Sequence, residues 1–150
     1  MSKTRTRKPK TNKSRKNRKN TIKGITTENK ARIVGLFIEM LNVVKLYHWK
    51  TRSYAQHKAT DHLYEELNEN VDRFVEIMLG KDASRVQQIE REFKRVDNVI
   101  DLKARIYEYR DSLVGLSQVL DGRRDSDLLN VRDELLGNLN QFLYLMSLSK

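Results

Sequence analysis

Residues 54–79 read YAQHKATDHLYEELNENVDRFVEIML, and this stretch decides the fold. Apolar side chains recur along it at spacings of four and three, which is the period of an α-helix with one buried face. No proline interrupts the stretch, and Gly80 follows it as a stop signal. The sequence therefore predicts a long helix whose core face is formed by Leu63, Leu67, Val71, Phe74 and Met78.

The same period precedes this stretch. A helix is predicted to begin at Thr26 or Thr27, either of which can cap its N-terminus, with Glu28 in the first turn, where the helix dipole favours an acid. Its apolar stripe is wide, as expected for a helix packed between neighbours. The stripe consists of Ile33, Phe37, Leu41, Val44 and His48, widened by Val34, Ile38 and Val43.

Two more helices are predicted further along the chain. Residues 81–97 are charged and weakly patterned, residues 99–120 are again helical, and a fourth helix begins near Asp125 and Ser126. Because no stretch alternates with the period of two of a strand, the predicted fold is all-α, an up-and-down four-helix bundle. One face of the fourth helix carries Leu128, Val131, Leu135, Leu139, Phe142 and Met146.

The net positive charge comes from the N-terminal segment. The chain has 150 residues, with 30 Lys or Arg against 20 Asp or Glu, for a net charge of +10. Residues 1–27 hold eleven of the cations and no acid, so the remainder has a net charge of −1. Such a segment cannot bury enough apolar surface to offset the entropy of ordering it. We expect residues 1–25 to be a disordered basic arm and residues 26–150 to be one bundle domain.

Several classes of protein are excluded by what the sequence lacks. It has no cysteine, hence no disulfide framework and no thiolate metal site. No apolar run approaches the roughly 18 to 20 residues of a membrane span, and no apolar stretch follows the basic N-terminus as in a secretory signal. We expect an intracellular protein that is cytoplasmic, nucleoid-associated, virion-associated or nuclear.

The basic arm indicates a polyanion partner. It has no aromatic residue on which bases can stack, so we expect sequence-independent contact with the DNA backbone. In an oligomer several arms would act together and raise the avidity. A nuclear address and a solubility tail are the alternatives. The cations of the arm are Lys3, Arg5, Arg7, Lys8, Lys10, Lys13, Arg15, Lys16, Arg18, Lys19 and Lys23.

A second face of the helix over residues 54–79 is polar. At 100° per residue, with His57 at 0°, six polar side chains fall between 0° and about 100°. We call this set the polar arc. A solvated helix face is the ordinary explanation, but Lys and Arg are almost missing from the arc, although the chain is rich in both. The arc consists of His57, Asp61, Glu65, Asn68, Asp72 and Glu76.

The spacing within the arc suggests a shared metal site. Asp61 and Asp72 lie eleven residues apart, about 16 Å along one helix, so a single helix cannot fold both onto one ion. Two antiparallel copies of the helix about a two-fold axis would set His57 opposite Glu76 and Asp61 opposite Asp72. Such a homodimer would have two equivalent sites of imidazole and carboxylate ligands, which suit Fe(II), Mn or Zn.

The other two histidines have separate readings. His48 lies on the apolar stripe of the first helix, where a lone histidine is more often a satisfied core residue than a ligand. Its position one turn before the loop that leads to His57 favours a meeting of the two rings. His62 points away from the polar arc and is predicted to be a surface residue.

These residues resemble a known signature. His48-Trp49, His57-x-x-x-Asp61 and Asp72-x-x-x-Glu76 are similar to the ferroxidase signature of the Dps mini-ferritins, the DNA-binding proteins of starved cells. Residues 127–146 are similar to the last helix of that family, and the resemblance covers residues 30–150. The run LYHWKTRSYAQHKATD, residues 46–61, also resembles an uncharacterised ferritin-like family of large DNA viruses and phages, which implies a viral protein packaged with a genome.

The resemblance implies a ferritin-like fold for the bundle and a dinuclear iron site at a subunit interface. One chain would supply His48, His57 and Asp61, and the other would supply Asp72 and Glu76. Fe(II) would be oxidised there by peroxide or oxygen, and ferric mineral would be deposited in a cage. The segment between Glu76 and the last helix is shorter than in the Dps family, where it carries part of the dimer interface. The resemblance therefore leaves undecided whether the subunits assemble into a cage.

Trp49 would lie beside this site. By the resemblance it is a candidate catalytic residue that intercepts stray oxidising equivalents, and the alternative is a packing anchor. Three functions are therefore open: a DNA-binding mini-ferritin with ferroxidase activity, a structural nucleic-acid-condensing or virion protein, and a small metal-binding oligomer whose arm serves for targeting. The set of carboxylates favours the first, because buried carboxylates are costly without a cation.

Overall fold

The computed structural model describes residues 24–89, 92 and 101–148. Within these residues the chain forms helices and no strand, which confirms the all-α prediction. The helices are α1 (Thr27–Lys50), α2 (Tyr54–Gly80), α3 (Leu102–Gly115) and α4 (Ser126–Ser147). A short 3-10 helix, Leu116–Gln118, continues α3.

Side-chain caps explain where the helices begin. The hydroxyl of Thr26 accepts a hydrogen bond from the backbone N–H of Asn29 (3.1 Å), as predicted for the start of α1. Ser53 caps α2 in the same way, and the carboxylate of Asp101 caps α3. The predicted first turn of the third helix, residues 99–100, lies outside the described residues. The regular helix also ends at Gly115, earlier than predicted.

The α2 and α4 helices are antiparallel neighbours. The side-chain amide of Asn70 donates to that of Asn138 (2.8 Å), and Arg73, further along α2, pairs with Glu134, nearer the start of α4. Lys81, just beyond α2, donates to the Arg124 carbonyl at the start of α4 (2.8 Å).

The direction of α3 differs from the up-and-down prediction. Arg105 near the start of α3 pairs with Glu39 in the middle of α1 (3.0 Å). The end of α3 lies beside the start of α1, where Arg32 and Leu116 line one cavity of about 300 Å³. The α3 helix is therefore antiparallel to α1 and parallel to α2. The predicted up-and-down order therefore does not hold between α2 and α3, which run in the same direction.

The core is formed by the predicted faces of α2 and α4. All five predicted core residues of α2 are buried, and so are those of α4 apart from Met146, which is half-buried. The rings of Phe37 and Phe74 meet edge to face at 5.0 Å between centroids. The stripe of α1 is rotated slightly from the predicted one: Met40, which was not predicted, is buried, whereas Ile38 and Leu41, which were, are only half-buried. The rotation follows from α1 packing against both α2 and α3.

The two ends of the bundle differ in character. The arm end is formed by the start of α1, the end of α2 and the start of α4, and there the buried ammonium of Lys30 pairs with Asp82 and donates to Ser84 (2.7 Å). The histidine end is formed by the end of α1, the start of α2 and the end of α4. No helix in the described part of the chain is long and apolar enough to cross a membrane.

Candidate metal centre

Two histidines cap each other's backbone at the histidine end. His48 lies in the last turn of α1, where helix carbonyls have no partner within their own helix. His57 lies in the first turn of α2, and its Nδ1 is 3.0 Å from the carbonyl oxygen of His48. The Nδ1 of His48 is in turn 3.0 Å from the carbonyl oxygen of His57. This reciprocal pair of hydrogen bonds holds the corner between α1 and α2.

The two contacts fix the tautomer of both rings. A carbonyl oxygen only accepts, so each Nδ1 carries the proton and donates it. Each Nε2 is then left with its lone pair in the neutral ring. The two rings stack, with their centroids 3.8 Å apart and an angle of 24° between their planes. His48 and His57 therefore meet, as predicted. Metal-binding histidines are commonly oriented in this way, with one ring nitrogen held by a carbonyl and the other free for the ion.

Asp61, near the start of α2, lies close to the ring of His48. Its Oδ1 is 3.9 Å from the Nε2 of His48, which is too long for a hydrogen bond. With bonds of about 2.1 Å, two ligands of one ion lie about 3.0 to 4.2 Å apart, so the two atoms stand within that range. His48 is buried and the Asp61 side chain is 43% exposed, so the pair opens toward solvent.

Thr60 is a site residue that the sequence analysis missed. It is fully buried, and its hydroxyl donates to the backbone carbonyls of Gln56 (2.8 Å) and His57 (3.0 Å) in a shared geometry. The same oxygen lies 3.2 Å from the Nδ1 of His48. Its position three residues after His57, on the side of α2 that faces α1, is the signal that would have found it.

Asp72 and Glu76 are not brought to the histidines within one chain. Both are exposed on α2, and neither makes a hydrogen bond or ion pair with another described residue. No group of three or more His, Asp or Glu within the described ranges is arranged to hold a metal ion. The structure therefore brings His48 close to His57 and, separately, close to Asp61, and leaves the other two candidate ligands about 16 Å or more from Asp61 along the helix.

Trp49 lies at the border of the polar arc. It is 68% exposed, so it is not a packing anchor within this chain. The ammonium of Lys45 lies 5.7 Å from the centre of its ring and 4.6 Å from that of Tyr64 on α2. This cation–π pair fixes the side of α1 on which Trp49 stands.

The remaining predicted site residues fall into two groups. His62 is a surface residue as predicted, and it pairs with Glu66 one turn later (3.3 Å). The arm cations from Lys3 to Lys23 lie outside the described residues, so their role in binding DNA stays a prediction.

One comparison with known proteins finds a match. A family model described as a family of unknown function (DUF5856) matches residues 48–146. The matched region contains all five candidate metal ligands, from His48 to Glu76, and none of the basic arm. No curated protein and no solved structure matches the chain.

Proposed function

Because the chain belongs to the DUF5856 family of unknown function, we propose a function from its own residues: a Dps-like, DNA-binding mini-ferritin that binds and oxidises Fe(II) at a site shared between two subunits. Fe(II) is the substrate, and the basic arm holds the protein on DNA. The ferritin-like fold, the homodimer, the iron chemistry and the DNA contact are all part of this proposal.

One observation carries the proposal. The Nδ1 atoms of His48 and His57 are tied to backbone carbonyls, so both Nε2 atoms keep a lone pair for a metal, and that of His48 lies 3.9 Å from the Asp61 carboxylate. Two imidazoles and one carboxylate are an incomplete ligand set for an iron pair. The exposed and unpaired Asp72 and Glu76 of a second copy would complete it, since antiparallel pairing of two α2 helices sets them opposite Asp61 and His57.

The rest of the polar arc supports this pairing. The pairing point lies between Glu66 and Leu67, and about it Glu65 stands opposite Asn68 of the second copy. Tyr54, which is 76% exposed, stands opposite Leu79, so an apolar contact would close each end of the paired helices. The arc is therefore self-complementary: the candidate ligands of one copy face candidate ligands of the other, and Tyr54 at one end faces Leu79 of the other copy.

The topology and the chemistry agree with this assignment. A four-helix bundle with one long crossover, as between α2 and α3, is the connectivity of ferritin-like proteins. At such a site two Fe(II) ions would each give one electron to peroxide, which takes up two protons and leaves as two waters. The carboxylates would stabilise the Fe(III) that forms, and the fixed imidazoles would keep the ligand geometry unchanged between the two oxidation states.

Fe(II) oxidation by peroxide tests the site. We expect His57→Ala and Asp72→Asn each to slow the oxidation, measured from the ferric absorbance, by at least about tenfold. Asp111→Asn is the matched control, because Asp111 is exposed on α3 and has no partner among the described residues. Parental rates in both site variants would show that the ligand assignment is wrong.

Mixing the two inactive variants tests whether the site is shared. A heterodimer of His57→Ala and Asp72→Asn chains has one site with both defects and one intact site. Random pairing should therefore restore about a quarter of the parental rate. Two slow variants that show no recovery when refolded together would place the site within a single chain.

A structural nucleic-acid-condensing protein is the second candidate. The observation that favours it is that no three His, Asp or Glu side chains in the described part of one chain are grouped so as to hold a metal ion. In that case the protein would retain DNA through its arm, and iron oxidation would be the same with and without His57.

A further inference from the structure

The outer face of α2 is acidic and unpaired. Glu65, Glu69, Asp72 and Glu76 form no ion pair with any described residue, although the chain has 30 cations. The acids of α4 and of the arm end, by contrast, are paired: Asp82 with Lys30, Asp127 with Lys81 and Glu134 with Arg73. Among the described helices, α1 and α4 are the ones that make substantial contacts with α2, and all four acids of this face stay exposed.

The face also carries a buried group that is directed at one of its acids. His48 is 7% exposed, and its Nε2 faces Asp61 at 3.9 Å without a hydrogen-bond partner. Between Asp61 and Glu76 the only Lys or Arg in the sequence of α2 is Arg73, and its guanidinium pairs with Glu134 on α4.

The basic arm begins beside the end of this face. Gly24 and Ile25, where the described chain starts, line a cavity of about 270 Å³ together with Met78 and Lys81. Met78 and Glu76 belong to the same turn of α2, Met78 on its core face and Glu76 on its outer face, so the first arm cation, Lys23, is attached at the end of the bundle where the acidic face ends.

The length of the arm is sufficient to cover the face. Asp61 and Glu76 are fifteen residues apart on α2, about 22 Å. An extended segment of 23 residues spans up to about 75 Å at 3.3 Å per residue. A tether this short gives the arm a millimolar effective concentration at the face of its own chain.

From these observations we propose that residues 1–23 bind the acidic outer face of α2 in the same chain when no polyanion is present and no second copy is paired with that face. The arm supplies eleven cations and no acid, and the face supplies unpaired carboxylates. Exposed ion pairs are individually weak and screened by salt, so the contact is reversible. DNA presents one charge per about 1.7 Å, against about one per 5 Å on the face, and therefore displaces the arm.

The contact couples the two ligands of the protein. The arm and a metal ion compete for Asp61, Asp72 and Glu76, and DNA removes the arm from these residues. DNA therefore strengthens metal binding, and by linkage metal strengthens DNA binding by the same factor. This coupling rests on the proposed function, whereas the contact between arm and face does not.

Paramagnetic NMR on the full chain tests the contact. The chain has no cysteine, so Ser14→Cys places a single nitroxide label in the arm. We expect the label to broaden the amide signals of Glu65, Asp72 and Glu76 more strongly than those of Glu108 and Asp111 on α3. About 0.5 M NaCl, where the Debye length is about 4 Å, or a short DNA duplex should remove the difference.

Two charge-matched variants sharpen the test. The double change Asp72→Asn with Glu76→Gln should abolish the selective broadening, whereas Asp111→Asn with Glu108→Gln should leave it intact. Equal broadening of α2 and α3 overturns the proposal. So does equally strong broadening when labelled chains are mixed with isotope-labelled chains that carry no nitroxide, because the arm would then bind a different copy. Neither readout involves metal or iron oxidation, so its outcome is independent of the ferroxidase proposal.

Discussion

His57 has a structural role beside its candidate role as a ligand. Its Nδ1 satisfies the His48 carbonyl at the end of α1, and its ring stacks on that of His48. Any loss of iron oxidation in a His57 variant must therefore be compared with a change in stability.

We expect His57→Ala to lower the free energy of unfolding by about 1 to 2 kcal/mol, the value of a buried hydrogen bond and part of a ring contact. Urea unfolding followed by circular dichroism measures this. His62→Ala on the same helix is the control, and since His62 is exposed its change should stay within about 0.5 kcal/mol. Equal losses in the two variants would contradict the capping role.

Asp82 makes the stability of the fold depend on pH in the acid range. The hydrogen bond from Lys30, with those from Ser84, lowers the pKa of Asp82 from 3.8 to about 2. A carboxyl whose pKa is depressed in the folded state contributes stability that is complete above about pH 4 and is lost as the pH falls toward 2. We expect Asp82→Asn to be less stable than the parent at pH 6, where it leaves the buried Lys30 without its carboxylate.

The pH dependence of that difference is the measurement. Thermal unfolding of the parent and of Asp82→Asn should converge between pH 4 and pH 2. Asp133→Asn, which removes the exposed carboxylate beside Arg132 on α4, should follow the parent at every pH, because Arg132 keeps its hydrogen bonds to the Leu113 carbonyl and the Ser117 hydroxyl. A constant gap between the parent and Asp82→Asn down to pH 2 would argue against this pair.

Among the helices, two glycines occupy different surroundings. Gly35 in the middle of α1 lies so close to Glu92 that an added Cβ would be 2.7 Å from the Cβ of Glu92. Gly137 in α4 has nothing within 4 Å of the same position. The long connection between α2 and α3 therefore passes directly against α1 at Gly35.

We expect Gly35→Ala and Gly137→Ala to change stability in opposite directions. Alanine is favoured over glycine in a helix by about 1 kcal/mol, so Gly137→Ala should raise the free energy of unfolding by about 0.5 to 1 kcal/mol. At Gly35 the clash outweighs this gain, and a net loss of about 1 kcal/mol is expected. Chemical denaturation of both variants gives the comparison, and stabilisation by Gly35→Ala would show that the connection does not pack there.

For the whole molecule, charge separates two parts of the chain. Residues 1–27 have a net charge of +11 and the rest has −1, so any binding to DNA is expected to come from the arm. The family match spans residues 48–146, so it covers most of the bundle and none of the arm.

Removal of residues 1–24 should abolish DNA retention and leave the helical circular dichroism spectrum per bundle unchanged. For the full chain, the logarithm of the DNA association constant should fall with the logarithm of salt at a slope no steeper than about −10, the limit for eleven phosphate contacts. Fluorescence anisotropy with a labelled duplex measures both the DNA retention of the truncated chain and the salt dependence of the full chain. DNA binding by the truncated chain that is insensitive to salt would show that the bundle carries the contact.

The sequence by itself determined the helices, their buried faces and the division of charge. Leu67, Phe74 and Leu135 are buried as their period predicts, because helix period and capping depend on residues that are near in sequence. Only the tertiary structure decided that α3 runs parallel to α2 and that Lys30 pairs with Asp82, 52 residues away. Such contacts depend on how distant segments close on one another, and no local pattern encodes that closure.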